Sequence, residues 1–148
     1  MGTISPAKTA GYCLILGPII ALICFFLQPG GVLGIGGSPE ALDFAEGMRI
    51  QVENSELGII TSFLITLGLV SLLSGQMYYI QSMQDGNGFG IGRVAIPFFF
   101  VAVFGWVIAN AIGISTASEV LKSTDMLALS SAINTTSLFS FGVGGLFL

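Results

Sequence analysis

Four long apolar runs, almost free of charge, dominate this sequence. They cover residues 10–27, 57–80, 93–114 and 126–148. A membrane-spanning helix needs about 20 consecutive apolar residues, so each run is long enough to cross a bilayer. Only 8% of the residues are charged, whereas a soluble domain has about 25%. The runs predict an all-α, polytopic transmembrane helical bundle that forms a single domain over residues 1–148.

The composition argues against several functions. The chain has no histidine, a net charge of −4 and only four basic residues. Nucleic-acid binding needs a basic face, so we expect no nucleic-acid partner. Without histidine there is neither the usual catalytic base nor the commonest metal ligand, and the acids lie in the loops. We therefore expect no enzyme activity, no metal and no cofactor.

The first run has two alternative interpretations. It could be a secretory signal with Lys8 in its basic region, but it exceeds the usual apolar length of about 15 residues and no A-x-A site follows it. We favour a retained helix, kinked at Pro18. Cys13 and Cys24 both lie in this run. A helix separates them by about 16 Å, too far for a disulfide, so we interpret them as packing residues.

The polar segment 28–56 contains a candidate surface helix at residues 39–53. Ser38 is a typical N-cap, and Pro39 suits the first helical position. Apolar residues recur at helical spacing on one side of this segment, and acidic residues lie mainly on the other. The acidic side is either a cation site or a solvated face, and we favour the solvated face. The glycines of residues 86–92 match no phosphate-binding motif and predict a turn between two helices.

The polar groups inside the runs are hydroxyls and the amides of Gln76, Asn110 and Asn134. They could line a substrate path, or they could form hydrogen bonds within the bundle, which we favour. None of the eight acids lies within a run, which argues against a proton-coupled pump. Trp106, near the middle of the third run, could touch a ligand, but packing against a neighbouring helix is the simpler interpretation.

Small residues form two stripes. In the fourth run they occupy every fourth position: Ala128, Ala132, Thr136, Ser140 and Gly144. The third run ends with the same spacing: Ala109, Gly113 and Ala117. Small residues let two membrane helices approach closely, so the stripes predict helix-packing ridges. The two ridges could face each other, one could face a partner chain, or the pattern could be chance.

Charge and termini give expectations about topology. The basic side chains divide equally between the two sides, and the α-amino group tips the balance toward an N-terminus inside the cell. The chain ends within apolar sequence, although a terminal carboxylate is costly to bury. We therefore expect the natural protein to continue beyond Leu148.

Three short stretches resemble a bacterial and archaeal family of multi-pass membrane proteins of unknown function. They are residues 8–12 (KTAGY), 55–60 (SELGII) and 78–80 (YYI). The resemblance implies about six helices and the cell membrane of a prokaryote, and it implies no activity. From the residues, the first hypothesis is an accessory or structural protein whose partners are the lipid bilayer and other membrane helices. The rivals are a small-solute transporter or channel and, less favoured, a membrane enzyme.

Overall fold

The computed structural model describes residues 5–40, 43–120 and 123–148. Within these ranges the chain forms five helices and no strand, which confirms the all-α fold. The helices are α1 (Pro6–Leu27), α2 (Phe44–Glu53), α3 (Ser55–Ser82), α4 (Phe89–Ala117) and α5 (Thr124–Gly145). All except α2 are long and apolar enough to cross a membrane.

The four long helices pack in chain order, each against the next. α3 lies between α1 and α4, and α4 lies between α3 and α5. Among the described residues, no Cα atom of α1 comes within 8 Å of α4 or α5. The bundle is therefore open between its first and last helices. The short helix α2 lies against α3, α4 and α5.

Several helix ends differ from the boundaries predicted from the apolar runs. α1 begins at Pro6, where Ser5 Oγ accepts a hydrogen bond from the backbone N–H of Lys8 at 3.4 Å. α4 begins at Phe89, four residues before the apolar run at 93–114, so Pro97 lies about two turns inside the helix. Hydropathy marks the residues suited to lipid, whereas caps and glycines determine where a helix starts. This is why the apolar runs are shorter than the helices α1, α3 and α4.

At its C-terminal end, α5 is shorter than the predicted span. The predicted span reaches Leu148, but the helix ends at Gly145. The two consecutive glycines 144 and 145 weaken the last turn because glycine loses the most backbone entropy in a helix. The last three residues continue as a turn, with the N–H of Phe147 donating to Gly144 O.

The surface helix begins later than the Ser38-Pro39 pattern predicts, and that predicted start is wrong. The N-cap is Asp43, whose Oδ1 accepts from the backbone N–H of Glu46 at 3.0 Å. Pro39 instead packs against Gly30 in the preceding loop. Residues 41 and 42 lie outside the described ranges. An aspartate caps a helix as well as a serine does, so the pattern alone could not choose between the two starts.

α2 has one buried and one solvated side, as its sequence predicts. Ile50 is fully buried, whereas Arg49 is exposed and bridges Glu46 and Glu53 at 2.5 and 2.6 Å. The hydrogen bond from Arg49 lowers the pKa of the Glu46 carboxyl, and the two carboxylates raise the pKa of Arg49. These acids therefore belong to a solvated ion-pair network on the exposed side.

The glycine-rich segment after α1 folds over the buried side of α2. Its backbone turns at four glycines with positive φ: Gly30, Gly34, Gly36 and Gly37. Side chains rarely adopt this conformation, so glycine is the residue that permits such successive turns. Cβ atoms added at Gly36 and Gly37 would meet the side chain of Ile50. The segment therefore encloses Ile50 and holds α2 against the end of the bundle.

Candidate functional site

α1 and α3 cross in close contact at a place where no ridge is predicted. A Cβ added to Gly17 would lie 2.6 Å from Gly68 O and 3.0 Å from Leu72 N. A Cβ added to Gly68 would lie 2.5 Å from Gly17 O and 3.0 Å from the Cβ of Ala21. The two backbones therefore touch at this point. About two turns further along α3, a Cβ added to Gly75 would meet the side chain and the backbone nitrogen of Leu14.

The contact between α4 and α5 also uses small residues, but only one belongs to the predicted stripe of α5. Ser137 is buried and lies directly over Gly105. Ser130 Oγ donates to Ala109 O at 3.3 Å. Gly144, the last member of the stripe, is buried, and its added Cβ would lie 3.0 Å from the ring of Phe99.

The stripe on α5 winds around the helix. A step of four residues advances about 40° beyond a full turn, so Ala128 and Gly144 differ by about 160°. Ala128 and Ser140 are half-buried, whereas Ala132 and Thr136 are exposed. Gly144 therefore lies in the contact with α4, whereas the middle of the stripe lies on the outer surface of the bundle.

The stripe on α4 divides between two neighbours. Ala109 faces α5 through the hydrogen bond from Ser130. Gly113 and Ala117 face α3, where their nearest partners are Ser62 and Gly58. Gly144 of the α5 stripe meets Phe99, and Ala109 of the α4 stripe meets Ser130, so neither contact joins the two predicted stripes. In the middle of the α5 stripe, Ala132 and Thr136 are exposed.

A shallow groove of about 330 Å³ runs along the outside of the α4–α5 contact. We call it the outer groove; it is lined by Val101, Gly105, Leu129, Ala132, Ile133, Thr136 and Ser137. Thr136 Oγ1 donates to Ala132 O at 3.0 Å, so this hydroxyl needs no further partner. The groove thus has apolar walls and a floor of small residues.

A second cavity, of about 270 Å³, lies between α2 and α5, and we call it the α2–α5 cleft. From the loop and α2 it is lined by Pro39, Glu40, Asp43, Phe44, Gly47 and Gln51, and from α5 by Leu127, Ser130, Ser131 and Asn134. Asn134 lies about 15 Å along α5 from Thr124, near the middle of the helix. The cleft therefore extends from the acidic loop to about the middle of α5.

The three predicted intramembrane amides lie in different environments. Gln76 is buried, and its Oε1 has no hydrogen-bond partner among the described residues. Asn110 Nδ2 donates to Trp106 O at 2.8 Å. Asn134 is exposed at the cleft. These amides do not converge on one site. The cleft has no signal in the sequence, because α2 and α5 are distant in the chain.

Most other polar groups in the long helices are paired locally. Thr61 and Thr66 donate to carbonyls one turn earlier, at 2.7 and 3.0 Å. Thr135 pairs in the same way. Trp106 packs against Phe141, with ring centroids 5.5 Å apart. In the described part of the chain, no three potential metal-ligating side chains of His, Cys, Asp or Glu come together.

Helix length, apolar composition and packing through small residues define a membrane-embedded helical protein. No family model matches the chain, and neither a curated protein nor a solved structure is significantly similar to it. The resemblance to the multi-pass family therefore stays a prediction.

Proposed function

We propose that this chain is a multi-pass protein of a prokaryotic cell membrane with an accessory or structural role. It has no enzyme activity of its own, and it binds other membrane helices through the outer groove between α4 and α5.

The exposure of α5 carries this proposal. α5 is the least apolar of the four long helices, yet only 11% of its most apolar 18-residue stretch is buried, compared with 33% for α3. In a bilayer, the least apolar helix gains most from being covered by protein. A partner helix on the free side of α5 would provide that cover.

The shape of the outer groove supports a helix as the partner. Gly105 and Ala132 lower its floor, so a second backbone can approach closely, as small residues allow in membrane helices. Leu129 and Val101 form apolar walls. The paired hydroxyl of Thr136 adds no polar group that a lipid or helix would have to satisfy.

We propose an orientation with the N-terminus inside the cell. The α-amino group supports it, because positive charge stays on the cytoplasmic side. Exposed Asp85 lies in the turn between α3 and α4, on the same side as the N-terminus. An impermeant thiol reagent added to intact cells should therefore fail to label D85C. Labelling of D85C from outside would show that the N-terminus lies outside the cell.

Self-association tests the helix-binding function without an unknown partner, since each copy carries the same groove. We expect the protein to form dimers or larger assemblies in lipid nanodiscs or mild detergent. Ala132→Trp fills the groove and should reduce the assembly to monomers, as measured by mass photometry or light scattering. Leu138→Trp is the matched control, because Leu138 is exposed on another side of the same helix. Equal assembly of both variants, or a monomeric parent protein, would contradict binding through the groove.

The α2–α5 cleft favours a second candidate function, the binding or passage of a small solute. It brings Glu40, Asp43 and Asn134 to one cavity, and polar groups at membrane depth often mark solute paths. Asn134→Leu removes the amide and leaves the outer groove intact. Solute passage predicts that this variant loses osmolyte entry into proteoliposomes while its self-association is unchanged. Proteoliposomes of the parent protein that admit no osmolyte would exclude this candidate.

A further inference from the structure

The loop after α1 exposes two large apolar side chains outside the long helices. Val32 and Leu33 are 64% and 60% exposed, at the tip of a turn in which the N–H of Gly34 donates to Gly31 O at 2.9 Å. In the same segment, Ile35 is half-buried, and the loop packs its glycines around Ile50. The segment therefore separates an inner apolar contact from an outer apolar tip.

The base of the loop is fixed against the bundle. Gln28 Nε2 donates to Ser62 Oγ of α3 at 3.3 Å, and Pro29 is buried beside Gly58. Across the base of the tip, the N–H of Gly30 donates to Ile35 O at 2.9 Å. These bonds hold the position of the tip and satisfy part of its backbone, which lowers the cost of bringing it close to lipid.

The tip lies beside the last turn of α1. A Cβ added to Gly31 would be 3.2 Å from Phe25 O, so the chain folds back onto that turn before it reaches Val32. The side chains of Phe25, Phe26 and Leu27 are all exposed and apolar. Consecutive Cα atoms are about 3.8 Å apart, so the Cα atoms of Val32 and Leu33 lie within about 8 Å of the Gly31 Cα beside that turn. The apolar tip and the exposed apolar end of α1 are therefore neighbours.

We propose that Val32 and Leu33 insert into the headgroup region of the bilayer beside the end of α1. The tip then anchors the loop and, through it, the position of α2 over the bundle. The partner is lipid, because the tip neighbours the exposed apolar end of a helix that is itself long and apolar enough to span the membrane. This proposal rests on the membrane location stated above but is independent of the outer groove.

Tryptophan depth measurements test the insertion. With one chain per nanodisc, Leu33→Trp should show blue-shifted emission and lose intensity when the lipids carry bromine near the headgroups. Glu53→Trp is the control: Glu53 is exposed on the solvated side of α2, away from the tip, and its tryptophan should remain accessible to aqueous iodide. Trp106 contributes the same background to every variant.

A third variant separates failure of the tip from failure of the membrane location. Ile19→Trp lies at an exposed apolar position in the middle of α1 and should be quenched by bromine in the acyl chains. If brominated lipid quenches Ile19→Trp, but only iodide quenches Leu33→Trp, the result contradicts insertion of the loop and supports a membrane-spanning α1. If neither responds to brominated lipid, the membrane location itself falls.

Discussion

Replacing Gly17 by alanine is expected to lower the free energy of unfolding by about 2–3 kcal/mol, the upper part of the range for overpacked cores. The new methyl group would lie 2.6 Å from Gly68 O and 3.0 Å from Leu72 N. Both are backbone atoms and cannot rotate away as a side chain would. The helices α1 and α3 must therefore move apart and lose contacts along their whole crossing.

The same helix offers a matched control for this substitution. Gly11 lies six residues earlier in α1, and a Cβ added there would meet nothing within 4 Å. Through helix propensity alone, both replacements stabilise the helix equally, by up to about 1 kcal/mol of free energy. Gly11→Ala should therefore leave stability unchanged or raise it slightly. The difference is measured by unfolding both variants with increasing SDS in mixed micelles. Equal stability of the two variants would show that α1 and α3 do not cross at Gly17.

The number and type of the long helices could be predicted from the sequence, but their contacts could not. Hydropathy reports whether a helix suits lipid, and all four long helices pass that test. It does not report which side of a helix faces another helix, because lipid and a neighbouring helix are both apolar. The Gly17–Gly68 crossing was missed for this reason.

The spacing of small residues explains which stripe packs. Ala10, Gly17 and Cys24 of α1 recur every seven residues, as do Gly68 and Gly75 of α3. A seven-residue step drifts only about 20° around a helix, so these positions stay on one side. With the four-residue spacing from Ala128 onward, each position is rotated by about 40° from the last, so successive small residues turn away from α4. Periods of seven therefore predict the packed sides better than the fourfold stripe in this chain.

The candidate sites depend on contacts between distant parts of the chain. The outer groove combines Val101 and Gly105 of α4 with residues of α5, and the α2–α5 cleft combines the first loop with Asn134. Ala132 and Thr136 were identified from the sequence as packing residues, and the structure leaves both exposed. Their contribution to binding another helix stays a prediction until association is measured.

A disulfide between α3 and α4 is the second change with a large expected effect. A Cβ at Gly58 would lie 3.6 Å from the Cβ of Ala117, and disulfides have Cβ separations of about 3.5–4.5 Å. The cross-link would close a loop of about 60 residues and should stabilise the folded state by roughly 4 kcal/mol through the entropy of the unfolded chain. Both positions lie at helix ends, Gly58 in the first turn of α3 and Ala117 at the last residue of α4.

α3 and α4 are neighbours in the middle of the bundle, which leaves α1 and α5 as its outer helices. The direct test is oxidation of the Gly58→Cys, Ala117→Cys double variant, followed by mass-spectrometric mapping of the linked peptides. Glu56→Cys with Ala117→Cys is the control, because Glu56 is exposed on another side of α3. We predict nearly complete cross-linking of the first pair within one chain and none of the second. Free thiols in the first pair after oxidation, or equal cross-linking of both pairs, would contradict this arrangement.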